Sequence, residues 1–438
     1  MQTHFTTEQL NDPAIARADS ILRACVHCGF CTATCPTFVL TGDERDSPRG
    51  RIWMMRELLE NPESVSADTG FHLARCLGCL SCTTTCPSGV DYPHLLDIGR
   101  AKMAEQVRRP WGERLMRRML ARIIPYAGRF HIMMRLARMG RLFRWAIPAA
   151  MRRMLDKVPT AIPARIDPVG ATDAVYPADT ESEPVRRVAM LAGCASRALE
   201  PDINAASIRL LNRLGVEVRV YAQIHCCGAL AHHIGETEQA DTSVHKAVAR
   251  WHDALANGEV DAIITNASGC GTMVKDYGDM LQHDPEWAAK AAAVSAASFD
   301  ISEVLAQCDW TASFTHPAAK ANTDAVAKTR LAYHSACSLQ HGQNIHGLPK
   351  RLLQQAGFTV VEPRDGHLCC GSAGVYNILQ PDMADGLKSR KLDTLHATGA
   401  AAVAAGNIGC ITQLNAPDVP VRHTIQFLDW ATGGAKPF

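Results

Sequence analysis

Along the first hundred residues, hydrophobic positions recur at helical spacing. Leu10, Ile15, Ile21 and Leu22 predict a helix within residues 8–24 that delivers the chain to Cys25. Ser47-Pro48 is a helix-start signal, RIWMMRELLE at 51–60 carries the helical pattern, and Asn61-Pro62 ends it. DYPHLLDIGRAKMAEQ at 91–106 predicts a further helix. From Arg108 to Arg153 there are thirteen arginines and one acidic residue, Glu113. Leu115, Met119 and Ile123, then Ile132, Leu136, Met139 and Phe143, make an apolar stripe there. Arginines 114, 117, 118, 122, 135, 138 and 141 take the other face, and Pro110, Pro125 and Pro148 bound the segments. The stripe predicts a pair of short basic amphipathic helices. Such a pair suits a membrane or partner surface, and it equally suits packing on other domains with a solvated basic face. Residues 159–185, rich in Pro, Ala and acidic side chains, read as an exposed linker.

Beyond residue 186 the pattern changes to short apolar runs separated by helical stretches, and it occurs twice. RRVAMLAGC ends at Cys194 and TRLAYHSAC at Cys337. RLLNRLGVEV at 209–218 matches RLLQQAGFTV at 351–360, each a helix stopped by glycine (Gly215, Gly357) and followed by a strand. Cys226-Cys227-Gly228 matches Cys369-Cys370-Gly371, and DAIITNASGC ending at Cys270 matches AAVAAGNIGC ending at Cys410. The early cysteines are offset by 143 residues and the last by 140. This is an internal repeat of two α/β modules with mostly parallel sheets. Its cysteines fall at or just after the C-terminal ends of strands, where such folds place ligand sites.

The cysteines bring in the chemistry. CVHCGFCTATCP at 25–36 and CLGCLSCTTTCP at 76–87 are both C-x2-C-x2-C-x3-C-P. Three thiolates at this spacing let a tight loop wrap one cubane. In bacterial ferredoxins, which use this run for two [4Fe–4S] clusters, the fourth cysteine ligates the other cluster. That resemblance assigns Cys25, Cys28, Cys31 and Cys86 to one cluster, and Cys76, Cys79, Cys82 and Cys35 to the second. Zinc sites use paired C-x2-C units without the third cysteine or the proline, and a disulfide framework does not fit the spacing. Arg49 and Arg51 in SPRGRI either face cluster charge or a partner, or sit at a solvated helix start. The expected fold class is α+β multidomain. A mainly helical two-cluster domain (1–105) is followed by a basic helical connector and linker (106–185) and two CCG modules (186–325 and 326–438).

Seventeen cysteines without an export signal read as metal ligands in a reducing cytosol. The polar N-terminus has no apolar h-region, and no apolar run approaches the roughly 20 residues that span a bilayer. Net charge is +1, which gives no overall pull toward nucleic acid. No G-x-G-x-x-G and no P-loop occurs, so no flavin or nicotinamide is expected on this chain.

Two ferredoxin motifs, a basic connector, two CCG units and the SPRGRI run together resemble the iron–sulfur subunits of glycolate oxidase. The wider group includes the corresponding subunit of anaerobic glycerol-3-phosphate dehydrogenase, a lactate-utilisation iron–sulfur protein and heterodisulfide reductase. The resemblance covers nearly the whole chain. It implies an electron-transfer subunit, not catalytic alone, that passes electrons from a partner's flavin to a membrane quinone or another acceptor. It also implies a cytoplasmic place, peripheral on the inner membrane. The runner-up expectations are the lactate and glycerol-3-phosphate systems, and disulfide chemistry at the CCG sites. Some relatives close each unit with C-x2-C, whereas Met273 and Gln413 stand at those positions here. Each module therefore keeps four matching cysteines: Cys194, Cys226, Cys227 and Cys270, then Cys337, Cys369, Cys370 and Cys410. They are candidate ligands for further clusters or, alternatively, parts of a redox-inert scaffold.

Overall fold

The computed structural model of the chain describes every residue from Met1 to Phe438 except 65, 108, 147–151, 153, 154, 157, 160, 161, 181, 182 and 417. Arg108, Pro148 and Arg153, which bound parts of the basic connector, lie outside the described residues. The chain forms two units, one of Met1–Arg117 with His367–Lys391 and one of Arg118–Gly366 with Leu392–Phe438.

The first unit is helical. Helix α1 (Pro13–Ala24) begins later than its apolar spacing predicts, because Asp12 accepts from Ala14 N–H and Pro13 occupies the first helical position. It stops at Cys25, whose N–H donates to Leu22 O. Short helix α2 (Phe30–Thr34) lies within the first motif, and α3 (Pro36–Thr41) continues from its proline. Helix α4 (Pro48–Glu60) is capped by Ser47, which accepts from Gly50 N–H. Then come α5 (Ala67–Ala74), α6 (Ser81–Thr85) within the second motif, and α7 (Tyr92–Gln106). Ile21, Leu22, Met55, Leu58, Leu95 and Leu96 close a core against which Cys25, Cys31, Cys76, Cys82 and Cys86 lie.

The second unit holds the repeat. Helices α8 (Trp111–Ile123), which starts in the first unit, and α9 (Ala127–Gly140) precede it. Strands β1 (Ala174–Tyr176), β2 (Arg186–Leu191), β3 (Val216–Val220), β4 (Ala262–Thr265) and β5 (Ser298–Asp300) form one sheet of order β1-β3-β2-β4-β5. Strands β6 (Arg330–His334), β7 (Thr359–Val361), β8 (Ala402–Ala405) and β9 (Val421–His423) form the other, β7-β6-β8-β9. All pairs are parallel except β1 with β3. The repeat therefore runs one strand further than the cysteine pattern indicates, since β5 and β9 correspond. Residues 174–176, read from composition as linker, add an antiparallel edge strand. Upstream, buried Asp167 accepts from Asn204 Nδ2 at 2.7 Å. One continuous apolar core serves both sheets, from Val188 and Val218 to Tyr333, Ala404 and Phe427.

Most of the apolar stripe of the basic connector faces outward. Leu120, Ala121, Ile124, Ala127, His131 and Met134 are buried, whereas Leu115, Met119, Ile132, Leu136, Met139 and Phe143 are exposed. Ala127 and Met134 meet Ala198 of the first module, where small side chains let α9 lie close. Arg117 is buried and donates to Glu113 Oε1 at 2.8 Å.

Asp300 and His423 end corresponding strands, and both cap the following helix in a capping box. Burial pushes the Asp300 carboxyl up to about 6 and the His423 imidazole down to about 4. His423 stays neutral and its Nε2 donates to Asn266 O of the other module at 2.7 Å. The unfolded chain protonates this histidine near pH 6.5. The folded chain refuses the proton until about 4, so stability falls as pH drops through that window. Asp300 acts oppositely, losing its contribution as pH rises from 3.8 to about 6. His423→Asn, which keeps a capping side chain, is expected to remove about 3 kcal/mol of acid sensitivity. Urea midpoints measured from pH 7 to 4 check this; equal acid losses in both proteins would refute it.

Candidate metal centres

The two ferredoxin motifs fold alike. In each, the chain takes two left-handed turns between its first three cysteines, at His27 and Gly29 in the first and at Gly78 and Leu80 in the second. Each loop thus has one glycine and one residue with a side chain in a conformation that costs about 1–2 kcal/mol, but in opposite order. A five-residue helix then carries the third cysteine, and the fourth ends it just before Pro36 or Pro87.

These loops enclose two hollows. The first, about 440 Å³ of atom-free space partly open to solvent, is lined by Cys25, Cys28, Cys31 and Cys86, with Arg49, Ile52 and Val90. The second, about 310 Å³, is lined by Cys35, Cys76, Cys79 and Cys82, with Thr37, Arg51 and Leu77. The first hollow thus takes three cysteines from the first motif with Cys86 and Cys82 from the second, and the second hollow takes three from the second motif with Cys35 from the first. Cys82, Pro48 and Tyr92 border both. Eight soft sulfur donors gathered around two adjoining hollows suit an iron–sulfur group and offer nothing to a hard oxygen-seeking cation.

The thiols are not equivalent. Burial pushes Cys31 up to about 11 and raises Cys25 and Cys82. Cys76 is more buried than Cys31, yet Arg51 and Arg100, with hydrogen bonds from Gly78 N–H and Tyr92 Oη, hold it below its ordinary value. Cys35 Sγ lies 3.2 Å from Thr37 Oγ1 and 3.9 Å from Arg51 Nη1. Arg51 also donates to His72 O, Thr37 Oγ1 and Asp46 Oδ1. Neither Asp46 nor Tyr92 stands out in the sequence, since the pattern around the cysteines does not show which neighbours turn inward.

In the first CCG module Cys194 follows β2, Cys226 and Cys227 follow β3, and Cys270 follows β4, so parallel strands bring all four to one sheet edge. Each thiol bears on the ionisation of the next in that order. The neighbouring Cys226 thiol, and then burial, push Cys194 well above its ordinary value. Buried Tyr277 donates to Cys227 O at 2.8 Å. In the second module Cys337 and Cys410 follow the adjacent strands β6 and β8. Cys369 and Cys370 lie in His367–Lys391, the segment that folds with the N-terminal unit. There Tyr376 Oη donates to Arg75 O at 2.8 Å, and Tyr376, Met383 and Ala384 pack with Leu77. No feature of the sequence repeat shows this attachment.

Comparison with known proteins places the same features. A 4Fe-4S dicluster domain model matches residues 21–90, and a cysteine-rich CCG domain model matches 188–275 and 331–415. The chain is 40% identical to the glycolate oxidase iron-sulfur subunit of Escherichia coli, covering 98% of this chain and 99% of that one. It is 31% identical to the probable glycolate oxidase iron-sulfur subunit of Bacillus subtilis, over 94% and 93%. Lactate utilization protein A of Bacillus subtilis is 21% identical over 56% of this chain and 99% of its own length.

The CCG glycine is a steric requirement. Gly371 has φ +84°, and a Cβ there would stand 2.7 Å from Ala384 O, a backbone atom. Gly78 has φ +62° with nothing near. Gly78→Ala is expected to cost about 1–2 kcal/mol, from the left-handed turn alone. Gly371→Ala should cost distinctly more, because backbone must shift as well. Chemical denaturation of the two variants would show this order, and equal losses would contradict it.

Proposed function

The chain belongs to the family of glycolate oxidase iron–sulfur subunits, and on that footing we propose that it carries electrons for a glycolate-oxidising complex whose flavin sits on a partner chain. The observation that carries the proposal is the crosswise sorting of eight cysteines around two hollows. Cys25, Cys28, Cys31 and Cys86 would hold one [4Fe–4S] cluster, and Cys35, Cys76, Cys79 and Cys82 the other. Such a cluster, when bound, accepts and releases one electron at a time. The residues around it do the rest. Ile52, Val90 and Leu77 keep water from the sulfurs, and the N–H and O–H groups of Gly78 and Tyr92 donate to Cys76. Abstraction of hydride from an alcohol needs an organic cofactor, which assigns that step to the partner. The four thiols of the first CCG module are proposed to hold a further iron–sulfur group, because ionisation of such buried thiols requires a metal's charge.

The same reading extends to a quinone acceptor and a membrane surface. Among the described residues no helix is long and apolar enough to cross a membrane. The face of α9 and the turn after it is nevertheless apolar and exposed: Ile132 (61%), Leu136 (54%), Met139 (62%) and Trp145 (80%). Arginines lie beside it, and Glu113 is the sole acidic residue from 108 to 153. Apolar side chains, a tryptophan and unopposed arginines fit an anionic lipid surface.

Two measurements test these assignments. Cys86→Ser should remove the cluster fed by the first motif, and Cys35→Ser the one fed by the second. Each should lower bound iron by about four atoms and disable transfer to quinone while the partner's flavin is still reduced by glycolate. Loss of the same cluster in both variants would rule out the crosswise assignment. With both sets intact, about twelve irons per chain would support the CCG site and about eight would reject it. Second, Leu136→Glu and the pair Arg135→Glu/Arg138→Glu should each weaken co-flotation with anionic phospholipid vesicles, the arginine pair most at low salt. Unchanged flotation would leave α9 with a packing role only.

A further inference from the structure

The two arginines of SPRGRI part company at the start of α4, and each borders a different hollow. Arg49 is 36% exposed on its side chain, and Glu44 holds its guanidinium through both carboxylate oxygens. Its charge is therefore balanced locally and screened by water. Arg51 is 1% exposed. It reaches Asp46 at 3.2 Å, and Asp46 is also held by Arg75 at 2.6 Å and His72 at 2.9 Å. Two guanidiniums against one carboxylate leave an excess of positive charge at the second hollow. Arg100 adds to it, donating to Cys76 O at 2.8 Å. A buried charge acts through a much lower effective dielectric than an exposed one.

Reduction of a [4Fe–4S] cluster adds one electron, supplied here by the partner's flavin, and makes or breaks no bond. Arg51 is cationic before and after, so no proton moves to or from it. Positive charge within a few ångströms favours the state with the extra electron, and net charge near the sulfurs is among the terms that set cluster potentials. We propose that Arg51 is an electron-positioning residue: its buried guanidinium raises the reduction potential of the cluster held by Cys35, Cys76, Cys79 and Cys82, so that this cluster is reduced before its neighbour. Arg49 has no comparable effect on the first cluster. The inference rests on the ligand assignment above and adds to it an order of filling.

The test is an anaerobic redox titration of the full chain in its complex, followed by EPR. Cys28→Ser and Cys79→Ser assign the two signals to their sites. Arg51→Gln should shift the reduction equilibrium of the second cluster at least tenfold toward the oxidised state, about 59 mV for one electron, and leave the first unmoved. Arg51→Lys, which keeps the charge, should stay within about threefold of the parent. Asp46→Asn, which removes the opposing charge, should shift the same cluster the other way, and it decides the matter if Arg51→Gln does not assemble. Two signals whose potentials ignore these changes, or move together, would overturn the inference and spare the ligand assignment. Absence of both [4Fe–4S] signals from the parent would overturn the assignment and the inference with it.

Discussion

A carboxylate sealed from water is costly unless cations and hydrogen bonds surround it. Asp46 has no exposed surface, and the N-terminal unit meets that demand from three elements: Arg51 from α4, His72 from α5 and Arg75 from the approach to the second motif. Its carbonyl also accepts from Thr37 Oγ1, two residues after Cys35. The cysteine that leaves the first motif is thereby fixed against the loop that carries the second. The proposed crosswise sharing of the thiols depends on that juxtaposition, and the spacing within either motif does not supply it.

This explains which parts of the site are legible in the sequence. Thiol spacing is a covalent matter, so the eight motif cysteines can be read from it, while their division between two sites is what the resemblance to bacterial ferredoxins implies. The repeat can be read too, since CCG imposes a left-handed glycine directly after a cysteine pair, at φ +85° for Gly228 and +84° for Gly371. The helix starts at Pro13 and Pro48 follow from local capping. What is not legible depends on neighbours distant in sequence. Spacing alone leaves the α9 stripe open to packing or to an outside surface, but Ala127 and Met134 meet Ala198 and turn the larger apolar residues outward. Strands β5 and β9 have three residues each, too few for a periodic signal, and only the capping boxes after them mark the ends. Attachment of 367–391 to the N-terminal unit depends on Tyr376, Met383 and Leu77, which carry no motif.

Duplication in this chain preserves backbone geometry and lets the chemistry drift. His27 and Gly29 answer to Gly78 and Leu80, with the same two turns made by opposite residues. Asp300 and His423 cap the same helix start, and the same loss of water shifts them in opposite directions. A capping position asks only for an acceptor pointed at a backbone N–H. Carboxylate and imidazole both satisfy it, and the difference in charge is free to serve another purpose. At His423 that purpose is a neutral hydrogen bond across the two modules.

The same freedom acts where it bears on electrons. The motifs make two hollows of similar construction, and for a relay two identical sites would define no direction. Direction has to come from what lies outside the motif. The first hollow is bordered by exposed Cys28, Val26 and Phe30. The second is bordered by buried Arg51, and by Leu77 against Tyr376, whose side chain is tied to Arg75 beside Cys76. One site therefore faces water or a partner, and the other faces charge and the CCG segment within its own unit. Sequence symmetry and electrostatic asymmetry coexist because cysteine spacing fixes the first, and the packing of SPRGRI and residues 367–391 fixes the second.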